Sequence, residues 1–157
     1  MNVYANQYQQ QQYQQNLIYT ATPEQVLLML YDGAIRFTRQ AMMAEKNGKQ
    51  AEKLGRISKV MAIIVEFSNT LNHEVGGQIA ADLDGLYQFM IRELNAARKD
   101  ETGEKLKTVE RLLVDLRETW GQAVDINRGQ QNGTAEMTKQ EQHNPPQRPY
   151  APLHAAG

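Results

Sequence analysis

The chain contains no cysteine, which excludes a disulfide framework, a thiol nucleophile and a thiolate metal site. Its formal net charge is -1, so it carries no strong electrostatic attraction for nucleic acid or for an anionic membrane. No apolar run approaches the about 18 residues that a membrane span needs. Residues 1–20 lack the basic cluster and the apolar centre of a secretory signal. The lack of cysteine favours a reducing cytoplasm, and the length of 157 residues fits a single domain.

Histidine is also scarce: His73 lies in a predicted turn, and His143 and His154 lie near the C-terminal end. No Glu-x-x-His pair occurs, which argues against the di-metal carboxylate sites that some helical bundles hold. The same scarcity argues against a Ser-His-Asp arrangement. Gly76-Gly77 is not followed by the Gly-Lys-Ser/Thr of a phosphate loop. We therefore expect no enzyme activity, no metal and no cofactor.

Residues 22–25 carry the sequence signals of a helix N-terminus. The Thr22 hydroxyl can cap a helix, Pro23 suits the first helical position, and Gln25 completes a capping box. Glu24 places a negative charge at the positive end of the helix dipole. The following apolar residues recur at helical spacing, which predicts a long amphipathic helix.

Three further helices follow, separated by short turns. The predicted helices run from about Pro23 to Asn47, Lys49 to Asn72, Gln78 to Lys99 and Glu104 to Ile126. Short connections make sequential helices antiparallel. The sequence therefore predicts an all-α fold, an antiparallel up-down-up-down four-helix bundle with a short N-terminal cap segment and disordered ends. We divide it into an arm (1–19), the bundle (20–126) and a polar, proline-containing tail (127–157).

The apolar surface of the bundle exceeds what its interior requires. The third helix places an apolar set inward: Ile79, Ala80, Leu83, Leu86, Tyr87, Met90, Ile91 and Leu94. The second helix carries a second stripe (Val60, Ile63 and Phe67), which either packs on the third helix or forms a contact surface for a client or a second copy. A partner whose helical segments are disordered until bound would fit such a surface.

The Gln-rich N-terminal residues allow two interpretations. They are a disordered polar tail, or they form an arm in which Tyr13, Leu17, Ile18 and Tyr19 cover a groove of the bundle. The alternatives remain open at this point.

The order of motifs resembles the flagellin-specific export chaperone family, FliS, from about Tyr13 to Val124. The resemblance rests on three groups of residues: Tyr13-Gln14-Gln15-Asn16 through Thr20-Ala21-Thr22-Pro23-Glu24 to Leu28–Phe37; Glu74, Gly76-Gly77, Ile79-Ala80, Leu83, Leu86-Tyr87 and Met90; and Leu112-Leu113, Leu116-Arg117 and Trp120.

The resemblance implies a cytoplasmic chaperone that binds the disordered C-terminal region of flagellin, prevents its premature polymerisation and helps deliver it to the flagellar export gate. It also implies a homodimer in many members and contacts with regulators of flagellin in some.

We predict that eight residues line or cover the client surface: Tyr13, Ile18, Tyr19, Leu30, Tyr31, Val60, Ile63 and Phe67. Leu30 and Tyr31 could instead belong to the ordinary core, and Tyr13 to a disordered tail. The alternative function is a structural or regulatory bundle dimer without a flagellin client.

Overall fold

The computed structural model describes Asn6, Gln9 and residues 21–143, with side chains described as far as residue 130. Within these residues the chain forms four helices and no strand: α1 (Pro23–Lys46), α2 (Gln50–Thr70), α3 (His73–Ala97) and α4 (Glu104–His143). The predicted all-α fold is confirmed. No helix in the same residues combines the length and apolar character that crossing a membrane requires.

Helix α1 begins with the predicted capping box. The Thr22 hydroxyl accepts a hydrogen bond from the Gln25 backbone N–H at 3.2 Å, and the Gln25 side-chain oxygen accepts one from the Thr22 backbone N–H at 3.1 Å. The helix ends at Lys46, and Gly48 follows with φ at 68°. A left-handed residue of this kind stops a helix, which is why the predicted Asn47-Gly48 stop is found.

The helices pack antiparallel. Along each pair of helices, polar contacts join residues in opposite order. Between α1 and α4, Asp32 contacts Arg117 and Arg39 contacts Glu110. Between α2 and α3, Ser58 contacts Arg98 and Ser68 contacts Asp84. In the described part of the chain, the backbones run closely side by side most extensively between α1 and α2 and between α2 and α3. Helix α4 therefore completes the bundle chiefly through its side chains.

All four helices contribute to one core. Its most buried apolar residues are Tyr31, Ala34, Ala41, Ile57, Val60, Ile64, Phe67, Tyr87, Met90, Leu94, Ala97, Leu106, Val109 and Leu113. Several of these repeat every three to four residues along their helix, which places them on one face. Burial of these faces is the main source of the bundle's stability.

Helix α3 starts earlier than the predicted Gln78, because Asn72 caps a preceding turn. The Asn72 side-chain oxygen accepts a hydrogen bond from the Val75 backbone N–H at 3.1 Å. Gly77 then interrupts the helix with φ at 50° and ψ at -123°. The predicted break around Gly76-Gly77 is therefore present, as a kink inside α3.

Helix α4 continues to His143, beyond the predicted end at Ile126. The sequence has no proline between Pro23 and Pro145, so every residue in this stretch can donate its backbone N–H. Good helix formers, chiefly Gln, Glu, Lys, Met and Ala, make up most of residues 130–142. The predicted helix end is corrected to His143, whereas the division of the chain at residues 20 and 127 stays a prediction.

The chain separates into two compact units, the first ending at Gly121 and the second beginning at Gln122. In the second unit the described backbone is helical to His143, and most of its described side chains are exposed. The core and the candidate site belong to the first unit.

Candidate functional site

One aromatic residue from each helix meets its counterparts inside the bundle. Tyr31 stacks on Phe67 with ring centroids 4.4 Å apart, and Phe67 lies 5.7 Å from Tyr87. The hydroxyls of Tyr31 and Tyr87 form a hydrogen bond of 2.7 Å. Trp120 is half-buried, packs against the core and makes a polar contact with the Tyr31 hydroxyl. We call these four residues the aromatic cluster.

Both hydroxyls of the aromatic cluster keep their protons. Burial raises the pKa of Tyr31 well above its ordinary value of 10.0, the hydrogen bond to Tyr87 raises it further, and the contact with Trp120 lowers it by less. Burial also raises the pKa of Tyr87. The aromatic cluster is therefore a neutral, water-excluding junction of the four helices at physiological pH.

The opposite end of the bundle is closed by polar contacts, and we call it the polar end. The Lys53 ammonium, only 1% exposed, pairs with Glu45 and donates to the backbone oxygen of Asp100 at 2.8 Å. Gln50 donates to the backbone oxygen of Arg98 at 3.1 Å. The α1–α2 and α3–α4 turns are thereby fixed to each other.

The end near the aromatic cluster, which we call the apolar end, exposes large apolar side chains. Met29 and Leu30 on α1 are each 37% exposed. On the first turns of α3, Val75 is 85% exposed and Ile79 is 72% exposed. Clustered exposure of this kind marks a contact surface rather than ordinary solvent-facing helix.

The exposed apolar surface extends from this end between α3 and α4. Glu93 and Lys105 form an ion pair of 3.5 Å across these helices. Leu86 lies about two turns before Glu93 on α3, and Leu112 lies about two turns after Lys105 on α4. Each shares a helix face with its member of the ion pair, so Leu86 and Leu112 lie at the same height along the bundle. We call this surface the α3–α4 seam. On α3 its apolar residues are exposed: Ile79, Leu86 and Phe89. On α4 they are half-buried: Leu112 and Leu116.

The α3–α4 seam is suited to binding an apolar partner. Among the described residues, no three His, Cys, Asp or Glu side chains lie close enough together to hold a metal ion. The α3–α4 seam carries exposed apolar side chains on α3 and half-buried ones on α4, with the Glu93–Lys105 ion pair at one end. An amphipathic helix laid on such a surface buries its apolar side chains against both helices.

The family to which the chain belongs is established by its sequence. The family model described as flagellar protein FliS matches residues 4–127. The chain belongs to the FliS family. The flagellar secretion chaperone FliS of Bacillus subtilis is 37% identical over 123 residues, covering 78% of this chain and 90% of that relative. Its namesake in Salmonella typhimurium is 33% identical over 109 residues, covering 69% of this chain and 81% of the relative.

A solved structure shares the fold. The crystal structure of a flagellar chaperone from bacteria superposes with a TM-score of 0.62 at 20% identity, covering 76% of this chain and 98% of that one. The family model and the relatives, not this superposition, confirm the predicted FliS resemblance. FliS is a family of chaperones rather than enzymes, which confirms the prediction that the chain is not an enzyme.

The predicted client residues of this FliS family member fall into three groups. Tyr13, Ile18 and Tyr19 lie outside the described residues. Leu30 is exposed at the apolar end, and Ile63 is half-buried beside α1. The others are buried in the core: Tyr31, Val60 and Phe67. Direct contact of any of these residues with a client stays a prediction.

The second apolar stripe of α2 is used inside the bundle. Phe67 contacts Tyr31 of α1 and Tyr87 of α3, Val60 is fully buried, and Ile63 packs against the core. Of the two interpretations open at the sequence level, packing against neighbouring helices is the one found. In this conformation the buried members of the stripe, Val60 and Phe67, form part of the core next to the apolar end.

The surplus apolar surface lies instead on α3, where two expectations were wrong. Ile79 and Leu86 were expected to face inward, but both are exposed, as is Phe89. The apolar face of α3 is wider than the line of Ala80, Tyr87, Met90 and Leu94 that the core uses. The excess width of this apolar face was visible in the sequence. Which of its residues stay exposed depends on how closely α4 packs against α3, which the sequence of α3 does not decide.

Proposed function

We propose that the chain is a cytoplasmic export chaperone that binds the disordered C-terminal region of flagellin. In this role it prevents premature polymerisation of flagellin and helps deliver it to the flagellar export apparatus. Family membership carries the proposal, because the matching relatives are named flagellar secretion chaperones. The exposed α3–α4 seam supports it, since it offers a site for an amphipathic segment.

The proposed contact surface is the α3–α4 seam together with the apolar end. A client helix would place apolar side chains against Leu86 and Phe89 and continue towards Ile79. We further propose that Tyr13, Ile18 and Tyr19 cover part of this surface until a client arrives. Covering residues of this kind would keep an apolar patch from causing self-association.

Binding of moderate strength suits delivery. Full burial of a Leu or Phe side chain contributes about 1.5–3 kcal/mol. Ordering a disordered client opposes this by about 2–5 kcal/mol. The balance allows release at the export apparatus without ATP or a cofactor. Homodimer formation, docking at the export gate and contact with regulators of flagellin belong to the same proposal.

The decisive test is calorimetry with a peptide from the flagellin C-terminal region. We expect Phe89→Asp and Leu86→Asp each to weaken binding by at least about tenfold, because each places a charge where an apolar contact forms. Val65→Asp is the matched control, since Val65 is 41% exposed on α2 and outside the seam. Tyr13→Ala tests the covering arm.

Equal affinity for the wild-type protein, Phe89→Asp and Leu86→Asp would exclude the α3–α4 seam as the client site. A stable dimer that binds no flagellin peptide would favour a structural or regulatory bundle. Each variant is compared with the wild type by circular dichroism, so that loss of folding is not taken for loss of binding.

A further inference from the structure

The outer face of α1 carries a convergence of positive charges that the client surface does not use. The guanidinium carbons of Arg36 and Arg56 lie 5.3 and 5.9 Å from the centroid of the Phe37 ring, and the Lys59 ammonium nitrogen lies 5.2 Å from it. Within the described residues, none of these three cations forms an ion pair. We call Arg36, Arg56 and Lys59 around Phe37 the basic cluster.

A groove between α1 and α4 adjoins the basic cluster through Arg36, which lines both. The groove has a volume of about 760 Å³ and apolar lining from Ile35, Met43 and Val114. Met43 is 58% exposed there. The side-chain oxygen of Gln40, also in the lining, is buried and accepts no hydrogen bond within the described structure. The groove therefore offers an apolar site and an unused acceptor.

The other charges of the groove are largely neutralised. Arg117 pairs with Asp32 at 2.9 Å, and Arg39 lies 3.5 Å from the Glu110 carboxylate. Glu118, on the α4 side, is the carboxylate of the lining that forms no ion pair within the described residues. Counting the basic cluster with the groove, the unpaired charge on this face is positive.

We propose that the outer face of α1 binds an acidic amphipathic helix of a second protein. Carboxylates of that helix pair with the basic cluster, and an apolar side chain enters the groove against Ile35 and Met43. Like charges converging on one ring repel each other, and a bound carboxylate relieves that repulsion. Three cations neutralise few phosphates, and the apolar groove has no role in backbone binding, so a protein partner fits this face better than nucleic acid.

The test uses a fluorescein-labelled synthetic helix of about five turns, with Leu on one face and Glu at the remaining positions. A second peptide with Lys replacing every Glu is the probe for charge. We expect the Glu peptide to bind and the Lys peptide to bind at least about tenfold more weakly. Binding of the Glu peptide should weaken as salt rises, because exposed charge pairs are screened.

Charge reversal on the protein locates the site. We expect Arg36→Glu combined with Lys59→Glu to weaken the Glu peptide by about tenfold or more, and Met43→Asp to weaken it as well. The matched control reverses Arg92 and Lys99, two exposed cations in α3 and in the turn that follows it, away from the groove, and should leave the affinity unchanged. Arg36→Gln combined with Lys59→Gln provides a milder pair should the reversed variant melt early.

Several outcomes overturn the proposal: equal binding of the Glu and Lys peptides, equal weakening by the control pair, or tighter binding of duplex DNA or of anionic phosphatidylglycerol vesicles than of the Glu peptide. The flagellin peptide should not displace the Glu peptide from the wild-type protein. Displacement would mean that the two probes share one site and would also overturn the proposal. Failure of flagellin binding alone leaves this result standing, so the two proposals fail separately.

Discussion

The two tyrosine hydroxyls of the aromatic cluster are hydrogen-bonded to each other in a place that water does not reach. Tyr31 is fully buried and Tyr87 is 2% exposed. A buried hydroxyl that loses its partner costs about 1–3 kcal/mol, whereas removing both hydroxyls of a pair is nearly neutral. The pair therefore fixes which residues face each other across α1 and α3 more than it adds to stability.

Tyr31→Phe should lower the free energy of unfolding by about 1–3 kcal/mol at neutral pH, because it leaves the Tyr87 hydroxyl unpaired. Tyr31→Phe combined with Tyr87→Phe should recover most of that loss. Urea denaturation measures both, and additive losses in the double variant would contradict the pairing.

The same pair predicts a pH dependence. Both pKa values are raised in the folded protein, so the folded state holds these protons to a higher pH than the unfolded chain does. The contribution to stability is complete below the ordinary pKa of 10.0 and is lost as pH rises above it. The wild-type protein should thus lose more stability above pH 10 than the double Phe variant, and equal losses would refute this origin.

The structural role of a single residue was predictable from the sequence only where its neighbours along the chain determine that role. Thr22 and Gln25 form the expected capping box because their partners lie three residues apart. Tyr31 was open between core and surface because its environment depends on Phe67 and Tyr87, which are far away in the sequence. Burial of that kind is a property of the assembled bundle.

Helix α3 differs from its neighbours in having glycines of opposite character. A Cβ atom added at Gly76 would lie 2.7 Å from the Ala80 Cβ, closer than real contacts allow. A Cβ atom added at Gly85 meets nothing within 4 Å, and Gly85 is exposed in regular helix. One glycine is required by packing, whereas the other only weakens the helix.

Gly85→Ala should therefore raise the free energy of unfolding by about 0.5–1 kcal/mol, because alanine is the better helix former. Gly76→Ala should lower it, because the backbone at the start of α3 must shift to relieve the clash. Thermal melting of both variants beside the wild type checks the pair. Stabilisation by both changes would show that Gly76 does not need its close packing.

Element types were predictable throughout, whereas element ends were predictable only in part, because the same local stop signal ends one helix and not another. The Asn47-Gly48 stop acts through the backbone of one glycine, and α1 ends beside it. The same residue pair recurs as Asn132-Gly133, yet α4 continues through it to His143. The start of α3 depends on the Asn72 side chain competing with the glycine pair, a balance that residue types alone do not decide.

The first compact unit has two unlike ends. At the polar end, Lys53 pairs with Glu45 and donates to the backbone of Asp100, which ties α1 and α2 to the α3–α4 turn. At the apolar end, Met29, Leu30 and Ile79 remain exposed above the aromatic cluster. Because large apolar side chains at that end are exposed rather than packed, it should open locally at a lower free energy than the rest of the unit.

Hydrogen exchange should reveal this difference. Backbone amides of residues 73–80 should exchange faster than those of residues 53–64 and 90–97, which carry buried side chains. A bound flagellin peptide should slow exchange in α3 and α4 most, if the α3–α4 seam is its site. Uniform protection along α3 without a client would contradict a weakly held apolar end.

Trp120 is the single tryptophan of the chain, and it lies where all four helices meet. Its indole emission therefore reports on one junction without any attached label. Water reaching that junction should shift the emission to longer wavelength before the polar end gives way. The fluorescence of Trp120 thus reports on the end of the bundle that is expected to open first.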